Sequence, residues 1–153
     1  MTYEEKLYNK CAALLKLVEG IQDFYKTSND DSKRFIETVI GAAIWYLPKN
    51  AKLLFTGKIS KDAIVKNEKS EDHFFPRKIA AQEILEFEWA NENDPVETLC
   101  NFYLQKYGRF NYVSKIENKK LIKFQRSNVF INSDTAYANA KIELVDFDKN
   151  TTG

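Results

Sequence analysis

The single histidine of the chain, His73, lies in a segment whose residue types can hydrolyse a phosphodiester bond. It directly follows the acidic residue Asp72, and it precedes two aromatic residues, a proline and the basic pair Arg77 and Lys78. A neutral imidazole is a common general base near pH 7, and carboxylate oxygens are ligands that Mg²⁺ prefers. This segment predicts half of a one-metal site, with His73 as the base and Asp72 as a ligand.

The other half of the site is predicted further along the chain. Ser114 and Glu117 form the S-x-x-E capping box of a helix, so Asn118 falls in the first turns of that helix. The amide oxygen of Asn118 is the predicted second ligand of a magnesium ion, for which Mn²⁺ can substitute. Glu117 is an alternative ligand, although its capping role is favoured. The ion would neutralise phosphate charge and stabilise the leaving oxygen.

The predicted secondary structure limits which of these side chains can share one site. Residues 71–75 are predicted to be a short extended segment closed by Pro76, and neighbouring residues of a strand point to opposite faces. Asp72 and His73 can therefore share one site only if the backbone turns or bulges in this segment. Asn111 lies in a second predicted strand, 109–113, which leads directly into the capped helix.

Taken together, the Asp72-His73 pair, the aromatic-Pro-basic stretch, Asn111 and the helix with Asn118 resemble the HNH endonucleases, also called ββα-metal or His-Me finger nucleases. The resemblance covers about half of the chain, residues 70–145. It implies metal-dependent cleavage of DNA, with double-stranded DNA as the expected substrate. It also implies that His73 is the general base, that Asp72 and Asn118 hold the metal, and that Asn111 fixes the loop.

The uneven distribution of charge supports a nucleic-acid partner, although the formal net charge is only +1. Between residues 82 and 98 the charged residues are all acidic, whereas between 106 and 126 they are basic except for Glu117. A nearly neutral chain can thus present a local basic face. The alternative is that the basic residues between 106 and 126 form an ordinary solvated helix surface. The candidate phosphate contacts are Arg77, Lys78, Lys115, Lys119, Lys120, Lys123 and Arg126.

The predicted fold class is α+β and mainly α. It comprises a helical scaffold, a small β element and an HNH-like ββα-metal finger with a helical insertion at about 77–107, because the interval from His73 to Asn111 is longer than the family's hairpin. A length of 153 residues predicts a single domain, 1–153. Within it, residues 1–50 form the scaffold, 70–126 the finger and 127–153 a tail.

Helical periodicity predicts the two scaffold helices, at residues 3–26 and about 31–46. In the first helix the apolar positions include Leu7, Cys11 and Leu14, and in the second the inward residues are expected to be Phe35, Val39, Ala42, Ala43 and Tyr46. These helices are a packing scaffold, a surface that docks a partner, or the interface of a homodimer.

The composition places the chain among intracellular globular proteins. Hydrophobic residues make up 44% and charged residues 29% of the chain, and no apolar run is long enough for a membrane span. Cys11 and Cys100, which have no metal-binding spacing, are expected in the core of a protein from a reducing, cytoplasmic compartment; a phage-encoded origin remains open.

The alternative function is a non-catalytic module that binds nucleic acid or protein, including an inhibitor or regulator built on a decayed finger.

Overall fold

A computed structural model describes residues 1–147, and the predicted α+β class with mainly α content is confirmed. The protein is mainly helical, with a small four-stranded mixed sheet. The described helices are α1 (Tyr3–Thr27), α2 (Asp30–Trp45), α3 (Ala51–Leu54), α4 (Lys61–Lys66), α5 (Arg77–Glu86), α6 (Pro95–Phe102), α7 (Lys115–Leu121) and α8 (Ser133–Asn139). The described strands are β1 (Phe55–Ser60), β2 (Ser70–Asp72), β3 (Phe110–Val113) and β4 (Leu144–Asp146).

The chain forms two compact units, each built from two separate stretches. The first unit combines residues 1–50 with residues 77–108, and the second combines residues 51–76 with the chain from Arg109 onward. The helical segment expected at about 77–107 is present as α5 and α6. It belongs to the same compact unit as the two N-terminal helices.

The first unit begins with the two predicted helices, and their ends follow from local capping. Thr2 accepts a hydrogen bond from the Glu5 amide, and the Glu5 carboxylate accepts one from the Thr2 amide, which completes a capping box at the start of α1. Asn29 caps α2 by accepting from the Ser32 amide. The buried positions of α1 include Leu7, Cys11 and Leu14, as the helical spacing predicts.

The predicted inward face of α2 was wrong. The structure buries Ile36, Ile40 and Ile44 instead, while Phe35 and Tyr46 are 70% and 76% exposed. The helix carries two apolar stripes, and periodicity alone cannot choose between them. The isoleucine stripe is the one that packs inward, together with Gly41.

Gly41 is the position at which α2 approaches α5 most closely. A Cβ atom on Gly41 would lie 3.3 Å from the Arg77 carbonyl oxygen and 3.4 Å from the Arg77 Cβ. These separations are tighter than ordinary van der Waals contact, so a larger side chain would push the two helices apart. The absence of a side chain at Gly41 therefore helps to determine which face of α2 is buried.

The second unit is built on the sheet, whose strand order is β2-β3-β1-β4. Strand β3 is antiparallel to β2 and parallel to β1, and β1 is antiparallel to β4. Helices α7 and α8 contribute to a core on one face of the sheet, whose members are Val113, Leu121, Tyr137, Ala140 and Ile142, with Phe74, Phe124 and Leu144 packed against them. The segment described as a tail contributes helix α8 and then strand β4 to this unit.

Two further expectations can be compared with the described residues. Cys11 and Cys100 are both buried and free, as expected for core positions, and burial raises the pKa of each thiol. Within residues 1–147, no helix is both long and apolar enough to cross a membrane.

The face assignment of α2 predicts a contrast between two alanine substitutions. Ile40→Ala should lower the free energy of unfolding by about 2–4 kcal/mol, because it removes buried methyl groups and leaves a cavity. Thr38→Ala, on the exposed side of the same helix, should change it by less than about 0.5 kcal/mol. Urea unfolding followed by circular dichroism measures both values. Equal losses in the two variants would contradict the assignment.

Candidate functional site

Asp72 is the last residue of β2, and its side chain is buried. The Tyr137 hydroxyl donates a hydrogen bond to Asp72 Oδ2, and Gln125 Nε2 lies 3.1 Å from each of the two carboxylate oxygens. Burial raises the pKa of the Asp72 carboxyl, and the hydrogen bonds from Tyr137 and Gln125 oppose that rise. Asp72 thus anchors a polar network inside the second unit.

Asn111 lies directly opposite Asp72 in the β2–β3 ladder and belongs to the same network. Asn111 Nδ2 donates to the Tyr137 hydroxyl at 3.0 Å, and Asn111 Oδ1 accepts from the Thr56 hydroxyl. One tyrosine oxygen therefore donates to Asp72 and accepts from Asn111. Burial, followed by the nearby Asp72 carboxylate, raises the pKa of Tyr137, so its hydroxyl keeps its proton. The network connects strands β1, β2 and β3 to α8.

Glu117 has the capping role that the sequence favours. Its carboxylate accepts from the Ser114 amide at 2.9 Å, while the Ser114 hydroxyl accepts from the Glu117 amide. The same carboxylate oxygen also accepts from the Ser60 hydroxyl at 2.5 Å, and Ser60 in turn caps α4. Glu117 therefore joins the starts of two helices, and both contacts use Oε1 of the carboxylate that was considered as an alternative metal ligand.

His73 follows β2 immediately, and its ring contacts the aromatic ring of Phe110, with the ring centroids 5.4 Å apart. Phe110 and Asn111 are neighbours in β3, so their side chains point to opposite faces of the sheet. Asp72 bonds to the network that contains Asn111, whereas His73 pairs with Phe110. Phe74, one residue later, packs on the core of α7 and α8.

The alternation of faces thus continues from Asp72 through Phe74. The turn that would bring the Asp72 carboxylate and the His73 imidazole to one side is not present in this conformation.

Asn118 lies in α7, which packs against β2. Its side chain is half-buried, and residues three positions apart are neighbours on a helix surface, so it lies beside the buried Leu121. Asn118 and Asp72 therefore belong to elements that contact each other on the helix-covered face. His73 extends away from that face.

The predicted phosphate contacts fall into two groups. The first group is exposed on α7 and the residues after it, and comprises Lys115, Lys119, Lys120, Lys123 and Arg126. The second group, Arg77 and Lys78, belongs to the first unit and has internal partners. The Arg77 guanidinium lies 4.2 Å from the centre of the Trp45 ring, and Lys78 Nζ is 3.9 Å from Glu37 Oε1.

A metal ion at this site would have to share the Asp72 carboxylate with Tyr137 and Gln125. Among residues 1–147, no group of three or more His, Cys, Asp or Glu side chains could hold an ion. The predicted pair of ligands, Asp72 and Asn118, is not covered by that statement, because Asn118 would contribute an amide oxygen. A carboxylate has about four lone-pair positions. The contacts of Gln125 and Tyr137 use three of them, which leaves one on Asp72 Oδ1.

Sequence reasoning did not identify three members of this network: Thr56, Gln125 and Tyr137. Tyr137 falls at an apolar position of its helix and is typical of a core residue, which it also is. Its hydroxyl meets Asp72 across 65 positions of sequence. No local spacing carries that information, because it arises only when α8 packs on the sheet.

The buried carboxyl predicts a pH dependence of stability. Because burial raises the pKa of Asp72, the folded protein keeps this proton to a higher pH than the unfolded chain does. The group's contribution to stability is complete below its ordinary pKa of about 4 and decreases as the pH rises through the folded value. In the variant Asp72→Asn this titration is removed.

We therefore expect the free energy of unfolding of Asp72→Asn, relative to the wild type, to increase between about pH 4 and pH 7. Urea titrations at several pH values measure the difference. Asp134→Asn, which changes an exposed carboxyl at the start of α8, is the matched control. A difference that stays constant over this range would show that Asp72 does not titrate in this way.

Comparisons with known proteins do not assign the chain to a family. No family model matches it, and neither the curated proteins nor the solved structures include a match. A functional assignment therefore depends on the residues and contacts of the site itself.

Proposed function

We propose that the second unit is a metal-dependent endonuclease that hydrolyses DNA phosphodiester bonds with the chemistry of the HNH nucleases. The observation that carries the proposal is the arrangement of three elements. Strands β2 and β3 are antiparallel with Asp72 opposite Asn111, and β3 leads through Ser114 into α7, which packs against β2. This is the strand–strand–helix order that the resemblance implies, with a helical segment between the strands.

In this proposal Asp72 and Asn118 hold the divalent cation, which is Mg²⁺ or Mn²⁺. The remaining lone pair on Asp72 Oδ1 and the side-chain oxygen of Asn118 are hard oxygen ligands of the type that these ions prefer. The bound ion would supply charge neutralisation on the phosphate and stabilisation of the leaving oxygen. Tyr137 and Gln125 orient the Asp72 carboxylate, as hydrogen-bonded partners of metal ligands commonly do.

His73 is the general base of the proposal, and it takes a proton from the attacking water. To serve a phosphate near Asp72, its imidazole has to turn from Phe110 toward the helix-covered face. Strand β2 ends at Asp72, so residues 73–76 lie outside the ladder and precede α5. A rotation in this short segment re-aims His73 while the paired residues Asp72 and Asn111 stay in register.

The exposed basic residues of α7 supply phosphate contacts that hold the DNA. Lys119 and Lys120 are exposed in its last turn, and Lys115 starts the helix. Contacts of this kind position a duplex without reading its sequence. They also make the affinity depend on salt, because each neutralised phosphate releases counterions.

A second candidate function is nucleic-acid binding without cleavage. The observation that favours it is that the two buried carboxylates described in the second unit already accept hydrogen bonds. Asp72 is bonded to Tyr137 and Gln125, and Glu117 is bonded to Ser60 and Ser114. Both groups thus have a structural role that requires no metal, while the basic surface of α7 remains exposed.

Plasmid cleavage distinguishes the two functions. With Mg²⁺ or Mn²⁺ the intact protein should cleave the plasmid, and the activity should disappear in EDTA. His73→Ala should reduce the rate by about 10²–10⁴-fold, which is the usual contribution of a general base. Glu71→Ala, which changes an exposed residue of β2 close to His73, is the control and should retain activity. An intact protein that binds DNA but does not cleave it would exclude the nuclease and support the binding module.

The basic surface predicts a separate effect on DNA affinity. Replacing Lys119 and Lys120 together by alanine should weaken binding to all sequences and lower the slope of log affinity against log salt by about 1 for each lysine. Fluorescence anisotropy with a labelled duplex at several salt concentrations measures both quantities. The matched control replaces Lys10 and Lys26, which are exposed on α1. Equal slopes for the two double variants would show that α7 is not the DNA-binding surface.

A further inference from the structure

The first unit exposes large apolar side chains on both of its N-terminal helices. On α1, Leu17 and Phe24 are 61% and 58% exposed, and on α2 the most exposed members are Phe35, Val39 and Tyr46. We call these five residues the apolar face. The two residues of α1 are seven positions apart, and the three of α2 and its C-cap are four and seven positions apart, so each helix presents them as a stripe. Exposed large apolar side chains that recur in this way commonly mark an interaction site.

The two stripes belong to one layer of the first unit. Helices α1 and α2 follow each other through the turn at Ser28 and Asn29, they contact each other, and both pack against α5. The sides that they turn away from α5 therefore form the outside of the same helical pair. The isoleucine stripe of α2 faces inward, which leaves the Phe35 stripe to face outward.

We propose that a second copy of this chain covers the apolar face, and that α1 of one copy packs antiparallel to α1 of the other. A symmetric pair of helical hairpins then forms a four-helix arrangement around the two stripes. This inference concerns the first unit only, and it does not rest on the proposed nuclease.

The aromatic side chains of the face supply a large part of the area that a stable pair needs. A fully covered aromatic side chain buries about 150–250 Å². At their observed exposures, the three rings of the face alone offer on the order of 400 Å² in each copy. Two copies would thus cover about 800 Å² before the aliphatic residues and the polar rim are counted, and a specific interface needs about 1,200–2,000 Å² in total.

The outward stripe of α1 is complementary to itself when one copy is reversed. Its members are Ala13, Leu17, Gly20 and Phe24. An antiparallel alignment centred between Leu17 and Gly20 places each of these two residues opposite the other, and it places Ala13 opposite Phe24. Each large side chain then meets a small one, and a Cβ atom on Gly20 would meet nothing within 4 Å in its own chain. The open space beside Gly20 can therefore receive Leu17 of the second copy.

The charges beside this stripe fit the same alignment. Lys16 and Asp23 are exposed on one flank of α1. In the antiparallel pair, Lys16 of each copy comes within one helical turn of Asp23 of the other, so opposite charges meet.

Sedimentation velocity over a range of protein concentrations tests the proposal. The intact chain should sediment with twice its mass of 17.8 kDa. Val39→Glu should raise the dissociation constant of the pair at least about a hundredfold, because it places a charge in the apolar face. Val65→Glu is the matched control, because Val65 is a more exposed valine in the second unit. It should leave the pair intact.

The variant Gly20→Glu distinguishes a loss of pairing from a loss of folding. Glutamate is a better helix former than glycine, so the variant should keep its helicity. At concentrations at which both proteins are monomeric, its thermal unfolding temperature should not fall below that of the wild type, whereas at higher concentrations only the wild type should pair. An intact chain that stays monomeric up to millimolar concentration would overturn the proposal. So would Val39→Glu and Gly20→Glu variants that pair as tightly as the wild type.

Discussion

The buried hydrogen bonds among Asp72, Tyr137 and Asn111 are the interaction on which the second unit depends. They connect β2 and β3 to α8 through one hydroxyl group, and the Thr56 hydroxyl, which donates to Asn111, adds β1. An ionised carboxylate in this position would be costly without donors, since an unpaired buried charge loses several kcal/mol of solvation. Tyr137 and Gln125 provide those donors, and they also fix where the carboxylate points.

That network also defines what chemistry the site can perform. A carboxylate held by three contacts is well oriented, but it has little capacity left for a ligand. His73 lies beyond the last paired residue of β2. In the proposed nuclease, Asp72 would be a well-oriented ligand on one face of the sheet, and His73 would be a base that starts on the other face. The proposed activity would therefore require His73 to move while the paired strand stays in place.

The elements with strong local signals were predictable from the sequence. Helix α1 and the Ser114–Glu117 capping box depend on residues that are close in the chain, so their periodicity and spacing are sufficient. The buried face of α2 was not predictable, because both of its stripes are apolar. The choice was made by packing against α5 at Gly41. The hydrogen-bond partners of Asp72 were not predictable either, because Tyr137 and Gln125 contact it only in the tertiary fold.

The strand order has a consequence for synthesis of the chain on the ribosome. Strand β3 lies between β2 and β1, so the two earlier strands have no neighbour in the sheet until residues 110–113 emerge. By then the helices at 77–108 have already been made, and the first unit has all of its chain. The first unit can thus condense while β1 and β2 still present open backbone edges. Unpaired edges invite pairing with other chains, so the interval before β3 arrives is when the nascent protein is most exposed to aggregation.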